Sequence, residues 1–176
     1  MHMLFKQFQQ YDRQWPEEKD VAHFLELLNG GEQRFCRESL EAHFTGSAWL
    51  VSADGLRVLL THHRKLGRWL QLGGHADGDT DLARVARREA EEESGITGLE
   101  VEAEPFDLDR HRIPARGTEP EHWHYDVRYV VRAVAGEDFV VSEESHALAW
   151  RSIRGIADDP QSDESLRRMA MKWLQR

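Results

Sequence analysis

Three carboxylates, Glu89, Glu92 and Glu93, stand within one helical turn, downstream of a glycine turn, Gly73-Gly74-His75-Ala76-Asp77-Gly78-Asp79-Thr80. Residues three and four apart on a helix are neighbours. Negative side chains that close repel one another unless something positive lies between them. A hard divalent cation such as Mg²⁺ suits the gap, because it takes oxygen ligands and prefers one or two carboxylates plus substrate phosphates.

Their position on the helix matters more than their number. At about 100° per residue, Leu82, Val85, Ala86 and Ala90 form the apolar sector that a helix turns toward its protein. Glu89 and Glu93 fall inside that sector and Glu92 at its edge, whereas Arg84, Arg87 and Glu91 fall opposite. An ordinary acidic run on a wet face accounts for Glu91 but not for Glu89 and Glu93. Carboxylates turned inward need a partner, since an unpaired buried charge is costly. The pattern therefore points to a metal cleft.

The same stretch resembles the signature of the Nudix hydrolases, G-x5-E-x7-R-E-U-x-E-E-x-G-U with U a bulky apolar residue. Gly74, Arg88, Glu89, Glu92, Glu93, Gly95 and Ile96 fit in register, and Ala90 is a small apolar stand-in. Thr80 departs from the pattern, which asks for Glu there; Asp77, Asp79 and Asp81 are nearby substitutes. The resemblance implies an α/β/α sandwich with a mixed sheet and the motif helix across it. It implies Mg²⁺, with Mn²⁺ as a substitute, held by Glu89, Glu93, Glu92 and the Gly74 carbonyl, with Arg88 orienting the carboxylates. Glu92 would help remove a proton from the attacking water, and the substrate would be a nucleoside diphosphate linked to another group X. Relatives of this kind often place a further acid near the metal, and Glu144 is the candidate. The resemblance to a bacterial subgroup extends over Phe35 to Glu38, Thr61 to His75 and Ile113 to Asp126, but names no X.

Two other activities are considered on this fold. Diphosphate isomerases resemble the chain in a Gly-His pair after the strand, but use a Cys immediately before it, where this chain has Gly73. A non-catalytic module that senses a nucleotide or binds a protein would bind ligand without metal-dependent turnover.

Composition fits one globular enzyme domain. At 176 residues and 40% apolar content the chain can bury one sizeable core. A formal net charge of −9 disfavours loose nucleic-acid binding through phosphates. A bound metal can still invert the field locally for a nucleotide substrate. The lone cysteine, Cys36, excludes an intrachain disulfide, in keeping with a reducing cytoplasm. Met1 to Gln10 has no apolar core of a signal peptide, and no apolar run is long enough to span a membrane.

The elements that must position the acids follow from periodicity. Residues 1–42 read as a helical extension packed on the domain formed by 43–176. Pro16 to Leu28 is expected as a helix, with Val21, Phe24, Leu25 and Leu28 on one face, and a short helix is expected around Arg37 to Ala42. That stripe must cover the body of the chain or a second subunit, which leaves a homodimer open. Strands are expected at Gly46 to Ser52, Arg57 to His62, Trp69 to Leu72, Glu100 to Asp107, Trp123 to Val134 and Ala147 to Trp150. The acidic helix should run from Thr80 to Ser94, and a last helix, capped by Ser162, through Gln175.

Further residues are candidates for substrate contact. Arg64 and Arg68, on the loop before Trp69, could pair with phosphates. His75 adjoins Gly74. His111 and Arg112 open a connection carrying Pro and Gly that runs to Pro120 and could close over a ligand. His122, His124 and Asp126 would share one strand face. Two histidines and a carboxylate at that spacing could bind a transition metal; a hydrogen-bonded polar sheet face is the preferred reading, and contact with phosphate or ribose a third.

Overall fold

The strand β1 (Ala42–Val51) places His43, Thr45 and Ser47 on one side of the sheet and Phe44, Gly46 and Ala48 on the other, as the two-residue period of a strand requires. In the computed structural model, residues 1–64, 67–141 and 145–176 are described. Six more strands complete a mixed sheet: β2 (Arg57–His63), β3 (Trp69–Leu70), β4 (Leu72–His75), β5 (Glu100–Ile113), β6 (His122–Arg132) and β7 (Ser145–Ser152). The main path is β3-β2-β1-β6-β5, with β4 paired to β1 and β7 to β2. The β1–β6 pair is parallel and every other pair antiparallel.

Helices cover both faces. On the Phe44 side lie α1 (His2–Gln14), α2 (Val21–Leu28) and α3 (Leu82–Ser94). Leu4, Phe8, Phe24, Leu82 and Val85 pack with Phe44, Val127 and Tyr129 there. On the opposite side α4 (Ile153–Asp158) and α5 (Glu164–Leu174) bury Ile153, Ile156, Leu166 and Met169 against Trp49, Val51, Val58 and Val130. This is the α/β/α arrangement expected. Gly46 lets α3 lie close on β1, because a Cβ there would come within 2.9 Å of Val85 Cγ1 and 3.0 Å of the Leu82 carbonyl. Among the described residues, no helix is long and apolar enough to cross a membrane.

The N-terminal segment differs from expectation. Residues 2–14 form a full helix that buries Leu4, Phe8 and Tyr11, a spacing of four and three. Pro16 lies in the turn after it, and the second helix starts only at Val21. Glu18 explains why the turn persists, since its carboxylate is engaged by Tyr11 Oη and, at 2.5 Å, by Lys172 Nζ. The stripe of α2 is buried within the chain's own core and needs no second subunit for cover. The helix expected at Arg37 to Ala42 is absent. A 3-10 turn occupies Glu32–Phe35, and from Ala42 the backbone pairs with β6 instead, so β1 starts four residues before the expected Gly46.

The strand expected at Trp69 to Leu72 divides into β3, paired to β2, and β4, paired to β1, and the remaining differences are one added helix and shifted element ends. Strand β5 runs on to Ile113, because its ladder with β6 continues to the Ile113–His122 pair. Helix α4 is an added element after β7, and Ser152 caps it by accepting from Gly155 N. Asp163, rather than Ser162, caps α5, accepting from Ser165 N and Leu166 N. Helix α3 begins at Leu82, and Asp81 accepts from Arg84 N at 3.1 Å. Asp81→Ala is expected to cost about 1 kcal/mol of stability, read as a lower midpoint in urea with an unchanged slope.

Candidate active site

Helix α3 delivers Glu89 and Glu93 to the Gly73-Gly74 step of β4. Glu93 Oε1 accepts from Gly73 N at 2.8 Å. Glu89 lies against Gly74 so closely that a Cβ there would stand 2.3 Å from its Oε2. Glu89 is 17% exposed and Glu92 66%, so Glu92 faces solvent on the rim. Arg88 Nη2 donates to Glu89 Oε1 at 2.7 Å and to the His75 carbonyl at 3.0 Å, tying helix to strand. Burial raises the Glu89 pKa, and the Arg88 hydrogen bond only partly opposes it. This is an all-oxygen donor group, with a half-buried carboxylate still short of positive charge, and it fits a hard divalent cation.

The three aspartates near Thr80 have separate partners. Asp77 makes two 2.8 Å bonds to Arg37. Asp79 holds Arg84 at 2.7 and 2.6 Å, and Asp81 caps the helix. Each arginine holds its aspartate below the usual carboxylate range. Among the described ion pairs, none joins Asp77, Asp79 or Asp81 to Arg88, whose partners are Glu89 and Glu92.

A polar layer crosses the opposite face of the sheet. Register places His43 beside His124, Thr45 beside Asp126 and Ser47 beside Arg128 on β1 and β6. On the far side of β6, His111, Asp109 and Asp107 pair with the same three residues, and β4 sets His75 beside Thr45. Asp126 is buried and accepts from Thr45 Oγ1 (2.9 Å), Ser47 Oγ (2.7 Å), Gln71 Nε2 (3.2 Å) and Arg128 Nε (2.8 Å). It therefore does not join His122 and His124, with which it shares the strand face. The histidines meet His43 instead, whose ring centroid is 4.8 Å from that of His124, 5.0 Å from His122 and 5.2 Å from His75. Burial lowers the pKa of His43, His75 and His124, the last to about 2 with help from its neighbouring rings, so all three are neutral at pH 7.

A cavity of about 500 Å³ opens beside this layer, lined by Arg68, Gln71, Asp109, His111, Arg112 and Arg128 among others. Arg68 is exposed and reaches Asp163 at 3.3 Å. His111 Nδ1 faces Asp109 at 3.1 Å. Arg112 pairs with Glu121 and lies over the Trp123 ring. Arg64 is exposed at the turn after β2, and Glu144 lies outside the described residues. His122 is buried, its Nδ1 2.9 Å from the Pro120 carbonyl.

Sequence reasoning missed His43, Thr45, Ser47 and Gln71. An i, i+2, i+4 run of polar residues within a strand was the available signal, obscured because β1 was expected to start only at Gly46. Gly73 is as constrained as Gly74: a Cβ there would stand 2.7 Å from Ser47 Cα, which is backbone and cannot swing away. Gly73→Ala is accordingly expected to lower stability by about 1–3 kcal/mol, measured by thermal or urea melting, and to displace the donor that holds Glu93.

Comparison with known proteins is consistent with this geometry. A Mycobacterium tuberculosis protein, provisionally named 8-oxo-dGTP diphosphatase 3, is 34% identical over 116 residues, covering 61% of this chain and 50% of that protein. The chain thus spans about half the length of the curated relatives it matches. A NUDIX-family hydrolase from Clostridium perfringens superposes with a TM-score of 0.57 at 21% identity, over 76% of this chain and 96% of its own. An Ap4A hydrolase from C. elegans gives 0.56 at 15% identity, over 75% and 95%. At those identities the two structures speak to the fold alone. The NUDIX domain family model matches residues 42–173, three quarters of the chain and all of its acidic motif, and the chain belongs to that family.

Proposed function

We propose that the protein is a Mg²⁺-dependent pyrophosphohydrolase that splits a nucleoside diphosphate from a linked group X. The observation that carries this reading is the convergence of Glu89 and Glu93 on Gly73-Gly74. Glu89, Glu93 and the Gly74 carbonyl would hold the metal, with Glu92 at the rim. When bound, Mg²⁺ would neutralise phosphate charge and lower the pKa of water at the site. Glu92, exposed and close to the acid pair in sequence, accepts the proton of the attacking water. Arg88 fixes the Glu89 carboxylate through its 2.7 Å bond, and its second bond, to His75, locks helix to strand. Arg64, Arg68, His75, His111, Arg112 and His124 are the groups available to substrate, with buried His122 behind them, and Arg68, His111 and Arg112 line the 500 Å³ cavity. On this reading residues 1–42 are an extension of a catalytic domain at 43–176, working on small molecules in the cytoplasm.

The test is a Mg²⁺-dependent hydrolysis screen over nucleoside triphosphates, nucleotide sugars, ADP-ribose and dinucleoside polyphosphates, with Glu93→Gln as the blank. The name borne by the mycobacterial relative makes oxidised and ordinary nucleoside triphosphates the first arm. Turnover of one class, absent in the blank, identifies X. Nucleotide binding without turnover on any arm would instead indicate a sensing module.

A further inference from the structure

The histidine layer holds more than a polar surface needs. His43 is 2% exposed, and its Nε2 is buried with no hydrogen-bond partner among the described residues. Its Nδ1 lies 3.2 Å from the Ser39 carbonyl, an acceptor, so Nδ1 carries the proton and Nε2 presents its lone pair to the neighbouring rings. A carbonyl that fixes the tautomer in this way is the usual support of a metal-ligating histidine. One ligand nitrogen from each of His43, His75 and His124 lies within 4.8 Å of the other two. In a tetrahedral zinc site with Zn–N of about 2.0–2.1 Å, such nitrogens stand about 3.3 Å apart, so the rings would have to draw inward on the ion. His122 orients His124: its Nδ1 also faces a carbonyl, that of Pro120, so its Nε2 accepts from His124 Nε2 at 3.1 Å and the lone pair of His124 lies on Nδ1.

We propose that His43, His75 and His124 form a second metal site, selective for a transition ion of the Zn²⁺ class. Three imidazoles suit Zn²⁺, Ni²⁺ or Co²⁺ and are poor ligands for Mg²⁺, which the oxygen donors of α3 serve better. Three histidines leave a fourth position for water or an anionic oxygen. The three ligands come from β1, β4 and β6, so the ion would join strands brought together only by the fold. The ion is separate from that of the carboxylate site, and its occupancy does not depend on the reaction assigned above.

The experiment is Zn²⁺ binding to tag-free, chelator-treated full-length protein with Mg²⁺ in excess. Calorimetry supplies affinity and stoichiometry, and the visible bands of substituted Co²⁺ report nitrogen ligation. One equivalent is expected in the wild type and in Glu93→Gln. His43→Asn retains a donor for the Ser39 carbonyl but lacks Nε2, and His124→Gln removes that imidazole. Each is expected to weaken binding more than about 100-fold, beyond what loss of a supporting contact does. Circular dichroism of the metal-free variants checks the fold, and if His43→Asn is unfolded the more exposed His124→Gln decides. Absence of zinc binding by the folded wild type would overturn the proposal, as would unchanged affinity in the folded histidine variants. Loss of the zinc in Glu93→Gln alone would place the ion with the carboxylates and overturn it equally, and none of these results bears on whether the protein hydrolyses a diphosphate.

Discussion

Glu93→Gln is expected to lower kcat by about 10²–10³-fold, the scale seen when one preorganised electrostatic contact to a transition state is removed, while leaving the fold intact. The reason is the double role of this carboxylate. One oxygen accepts from Gly73 N at 2.8 Å, and a glutamine carbonyl can accept the same bond. The charge that would attract a cation is lost in the exchange. Steady-state turnover on the substrate found by the screen, set beside circular dichroism and a melting curve, separates the two effects. A folded variant turning over at the wild-type rate would remove Glu93 from the catalytic centre and with it the proposed metal set. Glu92→Gln is the informative companion, because at 66% exposure its side chain has little to contribute to stability.

Asp107→Asn should be the most destabilising of the isosteric changes considered. Asp107 is fully buried and accepts from Arg128 (3.0 Å), Arg168 (2.9 and 2.7 Å) and Lys172 (2.7 Å). Lys172, itself buried, also touches Tyr11 and Glu18, so one carboxylate ties α1, α5 and β5 together. Removing one partner of a buried ionic cluster leaves the others uncompensated and costs about 3–5 kcal/mol. For a chain of this size that is roughly 6–20 °C in Tm, measurable by calorimetry. A loss below 1 kcal/mol would mean that water reaches the cluster.

The same cluster sets a pH dependence. The surrounding cations hold Asp107 and Asp109 well below the usual carboxylate range, against the opposing effect of burial. A depressed folded pKa adds stability that is present above the unfolded value of about 3.9 and is lost as pH falls below it. Wild-type stability should therefore fall steeply below about pH 4. Asp107→Asn, which no longer has that carboxylate to protonate, should fall less steeply.

How much of this was legible beforehand differs from element to element. The acid face of α3 could be read directly, because a helix repeats every 3.6 residues and the relevant spacing is three and four. Glu89 proved half-buried and Glu92 exposed, as their angular positions imply. The glycine turn before α3 was equally local. Helix α1 was readable in principle, since Leu4, Phe8 and Tyr11 keep a helical spacing, but its polar content hid the stripe. The start of α2 was misplaced because a proline suits both the first turn of a helix and the turn that precedes one.

By itself the sequence determined the local chemistry: a glycine step, a helix after it, and three acids graded from inside to rim. Tertiary structure alone decided what surrounds that chemistry. Asp126 is drawn away from His122 and His124 by Thr45, Ser47, Gln71 and Arg128, and His43 takes its place beside them. The parallel register of β1 with β6, which sets His43 against His124 and Thr45 against Asp126, joins segments far apart in the chain. A strand's period of two tells which residues share a face, but not which strand lies alongside or at what offset. That choice is made by burial of the whole sheet between its helices, a sum over many distant contacts that no short window of residues contains.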